Sequence, residues 1–220
     1  MRPALDPARL QALYPDVAAR FLRMPPAEKG MAVGLFGGSF NPPHAGHALV
    51  AETALKRLGL DRLWWMVTPG NPLKDRSELA PLAERLALSE AMTGDSRVEV
   101  TAFEAAFDVR YTADTLALIR AANPGVDFVW VMGADNLASF HLWQRWEEIA
   151  RTFPIAVIDR PGSTEADYLA APMAREFSAA RLDEAEAQRL ARTPPPAWVF
   201  LHGPRSPLSS SAIRRGGGKK

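Results

Sequence analysis

From about residue 31 onward, short apolar runs alternate with segments of helical periodicity. Met31 to Phe36, Arg62-Leu63-Trp64-Trp65-Met66-Val67, Asp127-Phe128-Val129-Trp130-Val131-Met132, Ile155-Ala156-Val157-Ile158 and Trp198-Val199-Phe200-Leu201 are short and apolar enough for strands, and Val98-Glu99-Val100 suggests a further one, third in chain order. After the first run, Ala51, Ala54, Leu55 and Leu58 recur at helical spacing until Gly59, and the helix is expected to begin near His47. Pro81 suits the first turn of a helix running through Leu82 and Leu86 to Met92. Thr112 suits the N-cap of another, which contains Leu116 and Ile119 and stops at Asn123-Pro124-Gly125. Strand and helix alternating in this way predict an α/β fold: a Rossmann-like, doubly wound parallel sheet with helices on both faces, in a single domain spanning residues 31–214.

The flanks are less patterned. Residues 1–30 read as an N-terminal helical extension, with Leu10, Leu13, Val17, Phe21 and Leu22 at approximate helical spacing and Met24-Pro25-Pro26 closing it. An amphipathic helix packed on the domain is the role expected of it. Residues 163–195 are alanine-rich and charged, which predicts surface helices before the Pro194-Pro195-Pro196 connection. Residues 215–220, rich in glycine and lysine, read as a disordered tail. No internal repeat is present.

Composition narrows the classes. A chain of 220 residues suits one domain, and 47% hydrophobic with 23% charged residues is the balance of a soluble globular protein. No apolar run approaches the roughly 20 residues needed to span a bilayer, so no membrane association is expected. The absence of cysteine excludes disulfides and thiolate catalysis, and the N-terminal stretch lacks the apolar core of a secretory signal, which points to the cytoplasm. A net charge of +1 gives no general attraction to nucleic acid. The end is nonetheless locally basic, with Arg205, Arg214, Arg215, Lys219 and Lys220 and no acid after Glu186. Homo-oligomerisation is left open.

The stretch Gly37-Gly38-Ser39-Phe40-Asn41-Pro42-Pro43-His44-Ala45-Gly46-His47 joins a strand to a helix. Glycines there allow close backbone approach to a ligand, and the start of a helix directs N–H groups and a positive dipole end at an anion. His44 and His47, three apart, can both face such a site. Zinc ligation and plain helix capping are the rival readings of the pair; phosphate contact is favoured. A second candidate lies at Pro207-Leu208-Ser209-Ser210-Ser211-Ala212-Ile213-Arg214, where serine hydroxyls and helix-start amides suit a triphosphate and Arg214 adds a charge-assisted donor.

GGSFNPPHAGH resembles the signature of the nucleotidylyltransferase superfamily, with His44-Ala45-Gly46-His47 as its HxGH motif, and SSSAIR resembles the superfamily's second motif. The chain as a whole is similar to the bacterial nicotinate-mononucleotide adenylyltransferases. That resemblance implies transfer of the adenylyl group of ATP to nicotinate mononucleotide, giving deamido-NAD and pyrophosphate. It implies catalytic roles for His44, His47 and Arg214. ATP would also meet Gly37, Gly38, Ser39, Phe40, Gly46, Ser209, Ser210, Ser211 and Ile213, together with Gly133 and Asp135 at the exit of the fourth strand. Asp135 reads equally as a ribose acceptor or a helix cap.

For nicotinate mononucleotide the resemblance implies Asn41, Lys74 after the Pro-rich loop, and Tyr111 and Thr112 in YTADTL. It further implies Trp143, stacked on the pyridine ring, and Arg160 in a basic-Pro-Gly turn. Magnesium would be carried mainly on the ATP phosphates. Asn41 stands where many relatives carry Asp, which brings any metal or solvent role of that acid into question. A superfamily member with another phosphate acceptor, such as nicotinamide mononucleotide or phosphopantetheine, is the nearest alternative. A catalytically silent nucleotide- or RNA-binding protein is a more distant one.

Overall fold

Six strands form one parallel sheet in the order β3-β2-β1-β4-β5-β6. They are β1 (Ala32–Gly38), β2 (Arg62–Val67), β3 (Val98–Thr101), β4 (Asp127–Gly133), β5 (Ile155–Ile158) and β6 (Trp198–Leu201). The computed structural model describes residues 4–70, 79–107, 109, 111–159, 165–203, 210 and 213–214, apart from the side chains of 165–167. The helices are α1 (Pro7–Leu13), α2 (Ala45–Arg57), α3 (Leu82–Met92), α4 (Glu104–Phe107), α5 (Thr112–Ala122), α6 (Ala134–Leu137), α7 (Trp146–Thr152), α8 (Glu165–Ala170) and α9 (Pro172–Glu176). This strand order is that of a doubly wound sheet, whose direction of winding reverses between β1 and β4. Ligands of such sheets bind beyond the carboxyl ends at that reversal, here Gly38 and Gly133.

Burial on both faces explains the near-continuous apolar strands. One cluster packs Phe36, Trp65 and Val131 against α2 residues Val50, Ala54 and Leu55. The other packs Leu35, Trp64 and Trp130 against Leu116 and Ile119 of α5 and Ile149 of α7. The register pairs Leu35 with Trp64 on one side and with Trp130 on the other, so the sheet centre is lined with large rings.

Three expectations are corrected in detail. Helix α2 begins at Ala45, two residues before His47, because His44 itself supplies the cap. The N-cap of α5 is Tyr111, in extended conformation, and Thr112 is the first helical residue; no side chain caps that end. The segment read as surface helices also turns one face into the core. Tyr168, Met173, Phe177, Ala187 and Leu190 are all buried, and Tyr168 stacks on Phe200 of β6 with ring centroids 3.6 Å apart.

Before β1, the α-helix covers only Pro7–Leu13, capped by Asp6, and none of its residues is buried. The following 3-10 turn, Ala19–Leu22, does the packing: Phe21 and Leu22 are buried, and the backbone of Phe21 accepts from Ala102 N at 2.7 Å and from Thr101 Oγ1 at 3.1 Å. The chain ahead of β1 is thereby tied to the end of β3.

At the sheet's centre a Cβ on Gly37 would lie 2.7 Å from the Trp130 ring. Gly37→Ala should therefore lower stability by about 1–3 kcal/mol through overpacking. Urea unfolding checks this, and adding Trp130→Leu, which removes the obstructing ring, should recover part of the loss.

Candidate active site

The carboxyl end of β1 runs into Ser39-Phe40-Asn41-Pro42-Pro43, which delivers His44 to the start of α2. Phe40 has φ 45°, a left-handed conformation uncommon outside glycine. Burial of its ring holds it there. Trp65 lies at 4.7 Å, His47 at 5.0 Å and Phe36 at 5.3 Å between ring centroids. A Cβ on Gly38 would approach that same ring at 3.1 Å. Both glycines thus have a packing reason, room for Trp130 and for Phe40, that their reading as a close approach to ligand did not contain.

His44 is almost wholly buried and its Nδ1 accepts from Gly46 N at 3.1 Å. His47 returns the interaction, its Nδ1 accepting from His44 N at 3.2 Å, and the two form a reciprocal capping box. Their rings lie 3.8 Å apart at 33°. Capping and phosphate contact are therefore compatible readings of the pair. A neutral imidazole that accepts at Nδ1 carries its proton on Nε2. Each ring is then set as a donor at its far nitrogen, beside the positive end of the α2 dipole.

The second motif docks on this turn. Ser210 Oγ donates to Pro42 O at 2.9 Å, and the Arg214 guanidinium donates to Asn41 O. Ile213 is half-buried next to Arg214, while Ser209 and Ser211 lie outside the described residues. Asn41 is buried, and its Oδ1 accepts from Ala80 N at 3.0 Å. An amide oxygen serves that bond as well as a carboxylate would, which accounts locally for Asn at this position.

Sequence reasoning missed the side chain that holds these pieces together. Arg85 of α3 is 1% exposed and donates to four backbone carbonyls: Ser39 O at 2.7 Å, Thr68 O at 2.8 Å, Ala80 O at 3.0 Å and Pro69 O at 3.5 Å. Burial draws its pKa down to about 10, so it remains a cation at neutral pH. It contributes fixed positive charge directly behind the Ser39 turn. Leu82, Arg85, Leu86 and Ser89 stand at i, i+3, i+4 and i+7, so two polar residues on an otherwise apolar stripe were the available signal.

The other side of the cleft is built by α5, β4 and the segment before α7. The amides of Thr112 and Ala113 open α5 ahead of its first internal bonds, from Asp114 N and Thr115 N to Tyr111 O. Asp114 meets Arg145 at 3.1 Å, which brings the start of α5 against the segment carrying Trp143. Trp143 is half-buried and set edge-on to Phe140 at 5.3 Å and to Trp130 at 6.1 Å. Phe140 is fully buried, as its core reading requires. Gly133 ends β4 as the N-cap of α6, and Asp135 lies in that helix's first turn. Lys74 and Arg160 lie outside the described residues. Among the described residues no group of three or more His, Asp or Glu is gathered as a metal site.

A family model described as cytidylyltransferase-like matches residues 35–216. The chain belongs to the cytidylyltransferase-like family. That match runs from within β1 to beyond Arg214 and so contains both motifs. A Mesorhizobium japonicum protein described as a "probable nicotinate-nucleotide adenylyltransferase" is 70% identical over 192 residues, 87% of this chain and 98% of that protein. A Brucella abortus protein of the same description is 73% identical over 185 residues, 84% of this chain and 95% of that protein. Among solved structures, the Plasmodium falciparum nicotinic acid mononucleotide adenylyltransferase complexed with NaAD has the same fold. Its TM-score is 0.66 at 16% identity, with 86% of this chain and 85% of that one covered. The fold of this cytidylyltransferase-like chain is thus shared well beyond its sequence neighbours.

Replacing Arg85 with Met would keep much of the side chain's bulk and leave its carbonyl acceptors unpaired. At about 1–3 kcal/mol per unsatisfied buried group, offset in part because a charge is no longer buried, the loss should be on the order of 3–5 kcal/mol, with Lys intermediate because it cannot span the same fork. Urea denaturation of the three proteins measures the ranking.

Proposed function

We propose that the chain transfers the adenylyl group of ATP to nicotinate mononucleotide, giving deamido-NAD and pyrophosphate. The observation that carries this reading is the docking of Ser210 and Arg214 on the carbonyls of Pro42 and Asn41, next to the paired histidines at the start of α2. Two motifs distant in sequence meet at the carboxyl end of β1, beside the reversal in strand order. The relatives described as nicotinate-nucleotide adenylyltransferases support the choice of reaction and acceptor.

The chemistry asks little of acid or base groups. The acceptor is a phosphate monoester, mostly dianionic at neutral pH because its second pKa is about 6. One of its oxygens attacks the α-phosphorus of ATP, a P–O bond forms, and the bond to the pyrophosphate oxygen breaks with its electron pair. The protein's tasks are alignment and stabilisation of charge on the phosphates. The Nε2 donors of His44 and His47, the Arg214 guanidinium, the α2 dipole and the Arg85 charge behind the turn serve those tasks. Magnesium, arriving on the triphosphate, would supply further charge neutralisation.

On the acceptor side, the α5 amides at Thr112 and Ala113 suit the carboxylate of nicotinate, with Trp143 beneath the ring and Tyr111 at the rim. Gly133 and Asp135 belong on the nucleoside side, as do Gly46 and Ile213. Lys74, Arg160, Ser209 and Ser211 keep the roles that their motifs suggest. ATP and a mononucleotide are the partners of this reading, without nucleic acid or membrane, and a cytoplasmic location goes with such substrates. Among the described residues no helix is long and apolar enough to cross a membrane.

Pyrophosphate release measured with ATP and a panel of phosphate acceptors tests the reading; absence of turnover with nicotinate mononucleotide alongside turnover of another acceptor would overturn it. Nicotinate mononucleotide should be preferred to the nicotinamide analogue by about tenfold to a few hundredfold, because a carboxamide NH₂ would face donors already seeking an acceptor. His47→Ala should lower kcat by on the order of 10²-fold with a smaller change in ATP affinity, as for loss of one donor to developing charge. Arg214→Ala should raise the KM for ATP as well as lower kcat, and Lys should restore only part, since it lacks the planar fork. Steady-state kinetics of the purified variants read out both.

A further inference from the structure

Glu104 opens α4 just beyond the end of β3, between the exit of β2 and the first turn of α5. Its Oε1 accepts from Thr115 Oγ1 at 2.6 Å, and the hydroxyl of Thr68 bears on the same carboxyl from the β2 side as a second hydrogen-bonding neighbour. Thr115 lies one turn into α5, its hydroxyl 3.4 Å from Tyr111 O. Thr68 is the residue whose carbonyl Arg85 holds, and its own hydroxyl donates to Gly70 O at 3.3 Å. Among the described residues no cationic side chain is paired with Glu104.

Thr115 gives its hydrogen to Oε1, and the Thr68 hydroxyl stands between the same carboxyl and Gly70 O. Desolvation by burial, the largest influence, raises the Glu104 pKa above the usual carboxylate value against the opposing pull of the two hydroxyls.

We propose that Glu104 is a positioning residue for the phosphate-acceptor substrate: bridging Thr68 and Thr115, it holds the amide-bearing start of α5 in place against the exit of β2. Besides this bridge, the start of α5 is located by burial of Ala113 in the core and by the Asp114–Arg145 pair. The inference rests on the acceptor site proposed above. It adds a residue that touches neither substrate and affects one of them.

Kinetics of wild type, Glu104→Gln and Glu104→Ala, with each substrate varied in turn, test it. Glutamine offers an NH₂ donor to Thr68 and a carbonyl acceptor to Thr115, so it should stay within about twofold of wild type in both KM values. Alanine should raise the KM for nicotinate mononucleotide about tenfold while that for ATP moves less than about twofold. Equal rises in both KM values, or no rise in either, would overturn the proposal, as would a Gln variant as impaired as Ala, since glutamine keeps both bridging hydrogen bonds. If the Ala variant does not fold, Thr115→Val removes the same bond from the other side and should raise the acceptor KM about threefold, again without moving that for ATP. A wild type inactive with nicotinate mononucleotide strikes the function itself; an active wild type whose variants do not separate the substrates strikes only the role of Glu104.

Discussion

A guanidinium buried among backbone carbonyls is the constraint on which the cleft depends. Arg85 reaches the turn after β1, the exit of β2 and the entry to α3, three segments with no regular hydrogen-bonding ladder between them. Loops at the carboxyl ends of parallel strands diverge by default, because each must lead into a helix on one face or the other. One cation with several donors can collect carbonyls from all of them, and no apolar side chain can. A buried charge is unfavourable unless its hydrogen-bonding capacity is used, so Arg85 makes the converged arrangement of the loops much more favourable than a splayed one.

Around that anchor the polar parts fall into a connected series. Arg85 holds the Thr68 carbonyl, the Thr68 hydroxyl meets Glu104, and Glu104 receives the hydroxyl of Thr115 in α5. On the other side Ser39 leads through Asn41 and Pro42 to Arg214 and Ser210. The turn after β1 and the start of α5 are therefore both braced from the same point. The aromatic layer beneath, Phe36, Phe40, Trp65 and His47, gives the turn a rigid floor.

Five strands were legible because burial on both faces leaves continuous apolar runs; β3, only half-buried and carrying Glu99, showed as the short Val-Glu-Val pattern. The HAGH turn and the SSSAIR segment were legible as motifs, and the structure brings Ser210 and Arg214 of one onto Asn41 and Pro42 of the other. Less visible was anything decided by tertiary contact. Arg85 looks like a solvated helix arginine until its place on the Leu82-Leu86 stripe is noticed, and Glu104 carries no local pattern. The burial of Tyr168, Met173 and Leu190 depends on β6 closing one edge of the sheet, which their alanine-rich surroundings do not announce. The shift of the α5 cap from Thr112 to Tyr111 is smaller, since an extended residue without a capping side chain leaves little trace in sequence.

The position of β1 in the sheet bears on how the chain is made. Its neighbours are β2, which follows soon after it, and β4, which is synthesised only after β3 and α5. Until residues 127–133 emerge, β1 lacks the partner for one of its edges, and a strand edge with unpaired N–H and C=O groups is the kind that pairs with other chains. That interval is the point at which a growing chain has most to gain from a chaperone. Variants that delay pairing of β1 with β4 should therefore lower soluble yield in the cell more than their effect on the finished protein's stability would suggest.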